Sequence, residues 1–178
     1  ELNKYLNSKS KITFSENEPE LTIVMVLFNK AELTLACLKS LSQNSYNNYE
    51  LIIVDNNSTD QTKDLLETIS GVRIIYNDSN LHFLKANNQV IDYINGKYTL
   101  FLNNDTILNE DTLINAIETI KRVPSCGAVG AKIILFYLYK NRLCILFPIQ
   151  ENYMVTINST LIVIGYLEKP FYINLLRH

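Results

Sequence analysis

Leu51-Ile52-Ile53-Val54-Asp55-Asn56-Asn57-Ser58-Thr59-Asp60 passes from four apolar residues into an acidic, amide-rich cluster, and Tyr98-Thr99-Leu100-Phe101-Leu102-Asn103-Asn104-Asp105-Thr106 does the same further along. Runs this short and this apolar suit strands buried on both faces of a parallel sheet. Each acidic cluster then caps the carboxyl end of a strand. In an open α/β sheet that edge borders the crevice where ligands bind. Two such clusters on one edge predict a site for a nucleotide and a divalent cation.

Outward from these stretches, Leu21 to Phe28 is another apolar, partly β-branched run and reads as a buried strand, with Asn29 at the turn that follows. Leu33, Cys37, Leu38 and Leu41 recur at helical spacing, so 31–43 reads as an amphipathic helix packed on the sheet. Asp60 is placed to cap a helix running through Leu65, Leu66 and Ile69 to a stop at Gly71. Val72 to Tyr76 reads as a strand, Phe83 to Asn95 as a helix closed by Gly96, and Glu110 to Arg122 as a further helix. Strands alternating with helices imply βαβ crossovers and a mainly parallel sheet. Residues 1–20 form a polar lead-in with a short strand near Ile12 and Phe14. Beyond Gly130 the alternation is lost. The apolar run 133–149 is broken by Lys140, Arg142 and Pro148, and reads as core strands with a turn rather than a bilayer span.

A chain of 178 residues fits one domain. Its net charge of -2 and 19% charged residues exclude a basic nucleic-acid surface and a disordered tail. Cys37, Cys126 and Cys144 are odd in number and set among apolar neighbours, which suits reduced buried thiols in the cytoplasm. Peripheral contact with the inner face of a membrane stays open. With five glycines in the chain, a Gly-rich phosphate cradle cannot be assembled. The loop Asn29-Lys30-Ala31-Glu32 thus argues against a dinucleotide-dependent dehydrogenase, and the same lack argues against a sugar-phosphate nucleotidyltransferase.

Taken in order, Leu21-Thr22-Ile23-Val24-Met25-Val26-Leu27-Phe28-Asn29-Lys30, Val54-Asp55-Asn56-Asn57-Ser58-Thr59-Asp60, Asn80-Leu81-His82-Phe83, Asn87-Asn88, Gly96-Lys97-Tyr98 and Leu102-Asn103-Asn104-Asp105-Thr106 resemble the family 2 glycosyltransferases of the GT-A fold. The resemblance is closest to the rhamnosyltransferase-like branch, which carries Asn-Asn-Asp in place of Asp-x-Asp. It implies an α/β, GT-A (Rossmann-like) open sheet, mainly parallel, flanked by helices in a single domain. Residues 1–20 would be the lead-in, 21–134 the nucleotide-sugar-binding part, and 135–178 a divergent start of the acceptor-side region packed on the same domain. The implied activity is inverting transfer, assisted by Mn2+ or Mg2+, from a UDP- or dTDP-sugar to a saccharide acceptor in polysaccharide biosynthesis.

By this resemblance Leu27, Phe28 and Asn29 border the nucleotide, and Phe28 supplies a face for the base; the alternative is a core residue at a strand end. Asp55 would accept a hydrogen bond from the base ring N–H, as an ionised carboxylate can; the alternative is a turn-forming Asx residue. Asn57, Asn80, Lys85, Asn88 and Asn104 complete the nucleotide-binding set. Asp105 would ligate the metal, a hard cation that prefers carboxylate, phosphate and water oxygens. Asn103 stands in the place of the family's first acid as a weaker, neutral ligand. Without the family, Asn103-Asn104-Asp105-Thr106 is equally a turn and helix-cap signal. His82 replaces a usual glycine, restricting positive φ and close backbone approach there, although its ring could donate to a phosphate.

Inverting transfer needs a general base for the acceptor hydroxyl, and no residue of this sequence is assigned to it. Tyr166 to Ile173 faintly resembles a stretch that precedes that region in the family, which implies a chain stopping short of the base. A nucleotide-binding fragment or interaction module without catalysis is the alternative.

Overall fold

The computed structural model describes residues 1–15 and 18–123, and beyond them the backbone of the strands Ala128–Gly130, Phe136–Tyr139, Arg142–Ile145 and Val163–Tyr166. Helix α1 (Leu2–Asn7) and the short β1 (Ile12–Thr13) lead into β2 (Leu21–Leu27), α2 (Ala31–Ser42) and β3 (Tyr49–Asp55). Next come α3 (Thr62–Leu66), β4 (Ile69–Ser70), β5 (Arg73–Tyr76), α4 (His82–Asn88), β6 (Tyr98–Phe101) and α5 (Thr112–Arg122). The strands beyond are β7 (Ala128–Gly130), β8 (Phe136–Tyr139), β9 (Arg142–Ile145) and β10 (Val163–Tyr166).

The main sheet runs β5-β3-β2-β6-β10-β7. Its first four strands are parallel, and β10 is antiparallel to both β6 and β7. The chain leaves β2 toward β3 and β5, then crosses back to add β6 on the other side of β2, so the strand order reverses between β2 and β6. That reversal opens a crevice at their carboxyl ends.

Both faces of the sheet are covered, which is why its central strands are apolar throughout. Leu21, Ile23, Met25 and Leu27 of β2 and Leu51 and Ile53 of β3 pack into one core with Leu35, Leu38 and Leu41 of α2. Val24, Ile52 and Val54 face the other way, against Ala86 and Val90. Burying each such side chain is worth about 1.5–3 kcal/mol. On α5 the buried residues Leu113, Ile117 and Ile120 recur at helical spacing.

Several elements differ from the sequence reading. Leu33, expected on the buried stripe of α2, is 44% exposed, and Ala31 and Leu35 are buried instead. The helix expected to reach Ile69 ends at Leu66, because Ile69 and Ser70 pair in parallel with Ile12 and Thr13. Gly71 ends that pairing at φ +72, where a Cβ would collide with the Phe14 carbonyl. The helix expected over 83–95 is split into α4 and a 3-10 turn at Ile91–Tyr93; Asn87 turns its amide back onto the Phe83 carbonyl at 2.8 Å, a local bond of the kind that competes with the helix ladder. The lead-in holds a helix, α1, with Leu2 and Tyr5 buried.

In the run 133–149, β8 and β9 pair antiparallel. The residues joining them, and the rest of that run, lie outside the described residues. So do Cys126, the side chain of Cys144 and, apart from Tyr166, the stretch up to Ile173. Cys37 is a buried free thiol. Among the described residues no helix is long and apolar enough to cross a membrane.

Candidate functional site

At the crevice between β2 and β6 lies a cleft of about 260 Å³, lined by Val26, Phe28 and Lys30 after β2, Asn56 after β3, Asn80, His82 and Phe83 before and in α4, and Asn103, Asn104 and Asp105 after β6. It gathers Phe28, Asn80, Asn103, Asn104 and Asp105 of the expected set. Phe28 is 48% exposed, so its ring is open to a ligand and is not a core residue.

The loop after β2 is sharply turned, with Asn29 and Lys30 both in the left-handed region at φ 59 and 63. Asn29 explains how such a turn is held. Its N–H donates to Ser58 Oγ at 2.8 Å, its Oδ1 accepts the Thr59 N–H at 2.8 Å, and its carbonyl accepts from Asn104 Nδ2 at 3.4 Å. One residue thus binds the three strand-end loops together. Asp60 adds a second clasp: Oδ2 accepts the first N–H of α2, from Ala31, at 3.0 Å, and Oδ1 accepts the Thr62 N–H of α3 at 3.0 Å. Burial alone would raise the Asp60 pKa, but bonds from the Thr62 hydroxyl and from the N–H groups of Ala31 and Thr62 outweigh it and hold the carboxyl below its usual range.

Register decides where Asp55 points. Asp55 pairs with Leu27 on one side and Tyr76 on the other, and residues in one row of a sheet share a face. That is the face of the Leu27 core, away from Val26 and the cleft. Asp55 has 0% exposure. Its Oδ1 accepts the Ser58 N–H at 3.1 Å, the turn-forming bond, while Oδ2 is buried without a partner. Burial raises the Tyr76 hydroxyl pKa, and the Asp55 charge beside it and then that of Glu67 raise it further. In place of Asp55 the structure brings Asn56 to the cleft, its Oδ1 accepting Asn77 Nδ2 at 2.8 Å.

Leu27 is likewise 0% exposed, so only its backbone serves the site, accepting the Asn56 N–H at 2.9 Å. Asn57 takes φ 65 as a turn residue, and neither it, Lys85 nor Asn88 lines the cleft. His82, expected to restrict positive φ, nonetheless sits at φ 58, with its N–H held by Asn80 Oδ1 at 2.8 Å and its exposed side chain on the cleft. Lys30, His82 and Asn56 are the polar lining residues the expected site set left out, beside the apolar Val26 and Phe83. The turn that Asn29 marks after β2 was the signal for the first; the sequence held none for the last.

Among the described residues no three His, Cys, Asp or Glu side chains come together as a closed metal cage. Asp105 Oδ1, however, is buried and lacks a partner, and the residue lines the same cleft as Asn103. An orphaned carboxylate oxygen beside an amide fits a hard cation that draws its other ligands from phosphate and water. Behind this loop the Cys37 thiol donates to the Asn103 carbonyl at 3.6 Å. Burial pushes its pKa up to about 12, with the Thr106 backbone bond lowering it and the Asp105 charge raising it, so the thiol is inert.

Sheet order, crevice and loops define an open, mainly parallel α/β scaffold, and solved structures share it. Pyrobaculum calidifontis mannosyltransferase PcManGT, in complex with GDP-Man and Mn2+, superposes with a TM-score of 0.56 at 20% identity over 70% of this chain and 39% of that one. S. aureus TarS (1–349) with UDP-GlcNAc gives 0.53 at 23% identity, over 58% and 31%. The fold is GT-A. Residues 22–167 match the model of Glycosyl transferase family 2, and the chain belongs to that family.

Curated relatives agree. The amylovoran biosynthesis glycosyltransferase AmsB of Erwinia amylovora is 30% identical over 113 residues, 60% of this chain and 37% of its own. A PGL/p-HBAD biosynthesis glycosyltransferase of Mycobacterium bovis is 35% identical over 100 residues, 53% and 39%. The chain spans less than half the length of these relatives.

Proposed function

We propose that this chain is the donor-binding part of a glycosyltransferase that moves a sugar from a nucleoside diphosphate to a saccharide acceptor with inversion and with help from Mn2+ or Mg2+. The observation that carries the reading is the pairing, in one cleft, of an open aromatic ring at Phe28 with the orphaned carboxylate oxygen of Asp105. A ring face suits a base, and an unpartnered carboxylate oxygen would suit a hard cation that offsets the charge of a diphosphate.

In this reading the base stacks on Phe28 and lies beside Asn56, whose amide is held between Asn77 and the His82 carbonyl. Lys30 and His82 stand on the cleft to meet the diphosphate. Asp105 and Asn103 would hold the metal, which supplies charge stabilisation for the departing diphosphate. Asn29 and Asp60 keep the loops in register. Acceptor recognition and the general base are assigned to no described residue.

A thermal-shift screen of UDP, dTDP and GDP, each with and without Mn2+, tests the reading, because a ligand bound only by the native state raises its melting temperature. At least one nucleotide should stabilise the chain more with metal than without. No shift with any of them would contradict a donor site. Nucleotide binding with neither donor hydrolysis nor transfer to any saccharide would favour a nucleotide-binding module instead.

A further inference from the structure

The loop that carries Asp105 is not positioned by its own strand alone. Thr34, Cys37 and Ser40 recur at three-residue spacing along α2, and all are buried. Each bonds the segment after β6: Thr34 Oγ1 accepts Asn104 Nδ2 at 2.9 Å, Cys37 Sγ donates to the Asn103 carbonyl at 3.6 Å, and Ser40 Oγ accepts the Leu108 N–H at 3.1 Å. The two hydroxyl hydrogens are already committed within the helix, to the Lys30 carbonyl at 3.2 Å and the Cys37 carbonyl at 2.8 Å. Their remaining lone pairs therefore face the loop as acceptors.

Such a stripe is a poor choice for helix stability, since Ser and Thr favour helix interiors less than aliphatic residues of similar size do. Buried hydroxyls also cost free energy unless bonded. The loop satisfies them. Asn104 joins this set to the base side of the cleft, because the same amide nitrogen reaches the Asn29 carbonyl at 3.4 Å. One side chain thus touches α2, the turn behind Phe28 and the loop of Asp105.

We propose that Thr34, Cys37 and Ser40 are positioning residues for the metal loop, and that the Thr34–Asn104 bond makes metal binding and nucleotide binding depend on each other. This rests on the reading of the cleft as the donor site. With the bond in place, Asp105 is held at a fixed distance from the base-binding turn, so a nucleotide whose base stacks on Phe28 would present its diphosphate to a cation held by Asp105. Without it the two loops move separately, and each ligand gains less from the other.

The test is calorimetric titration of the full 178-residue chain with UDP, dTDP and GDP, with and without Mn2+, reading the ratio of the two affinities. Thr34→Val keeps the shape of the side chain and removes the acceptor. It should lower the ratio by about five- to tenfold while metal-free affinity stays unchanged, and Thr34→Ser should restore the ratio. A folded Thr34→Val protein with the parent's ratio overturns the proposal, as does a Thr34→Ser protein that behaves like the Val variant. Should Thr34→Val fail to fold, Asn104→Ala breaks the same bond from the loop side, and an unchanged ratio there overturns it equally. A parent ratio of one for every nucleotide sinks the metal-assisted donor reading and this inference together. A raised parent ratio that the variants leave untouched sinks this inference alone.

Discussion

Asp55 lies directly opposite Leu27 in the β2–β3 ladder and shares its buried face, so the acid that heads the loop is turned away from the cleft that the loop borders. Its measurable work is the 3.1 Å bond to the Ser58 N–H. Asp55→Ala should therefore lower stability, by about 1–3 kcal/mol for a buried donor left unpaired, and disturb nucleotide affinity less than Asn56→Ala does. Urea denaturation and nucleotide titration on both variants check the ranking. The reverse ranking would return base recognition to the Asp55 carboxylate.

Asp60 should make part of the stability depend on acid. Its folded pKa lies below the unfolded value of about 4, so its contribution is fully present above that value and is lost as pH falls through the depressed folded pKa. The gap in stability between the parent and Asp60→Ala is expected to be about 0.5–2 kcal/mol at neutral pH and to close below the folded pKa. Denaturation midpoints measured across the acid range read it, and a pH-independent gap would contradict the role.

His82 sits at φ 58, a region a non-glycine residue occupies at a cost. His82→Gly should then raise stability by up to about 1 kcal/mol, less what glycine gains in the unfolded chain. If the ring meets the diphosphate, nucleotide affinity falls in the same variant. Opposite signs in the melting temperature and the affinity are the expected result.

Asn103→Asp adds a second anionic oxygen beside Asp105. Mn2+ titrated into the nucleotide-free chain should bind more tightly than to the parent. Unchanged metal affinity with an intact fold would remove Asn103 from the cation.

The parallel sheet was legible in its short apolar runs, and α2 and α5 as helices between them, although Leu33 on the expected stripe of α2 is exposed. The ends of α3 and α4 were not legible: Ile69 is claimed by pairing with Ile12, a partner 57 residues away, and the Asn87 amide competes with the helix it sits in. That Phe28 and the loop of Asp105 stand at strand ends could be read from the sequence, whereas the exposure of the Phe28 ring is seen only in the structure. Which of Asp55 and Asn56 faces the cleft could not be read there, because a strand buried on both faces is apolar at every position and its sequence carries no alternation to show the face. The bonds from Thr34, Cys37 and Ser40 were hidden for a related reason. Small polar residues on a buried helix face declare themselves only once the loop that satisfies them is seen.

The central claim is that Asp105 carries the cation for a nucleotide in the cleft. Calorimetric titration of UDP, dTDP and GDP into the parent and Asp105→Ala, with and without Mn2+, tests it most directly. The claim requires that the metal-dependent part of the affinity vanish in the variant while the metal-free part and the melting temperature hold. Equal metal-dependent affinity in parent and variant would contradict it.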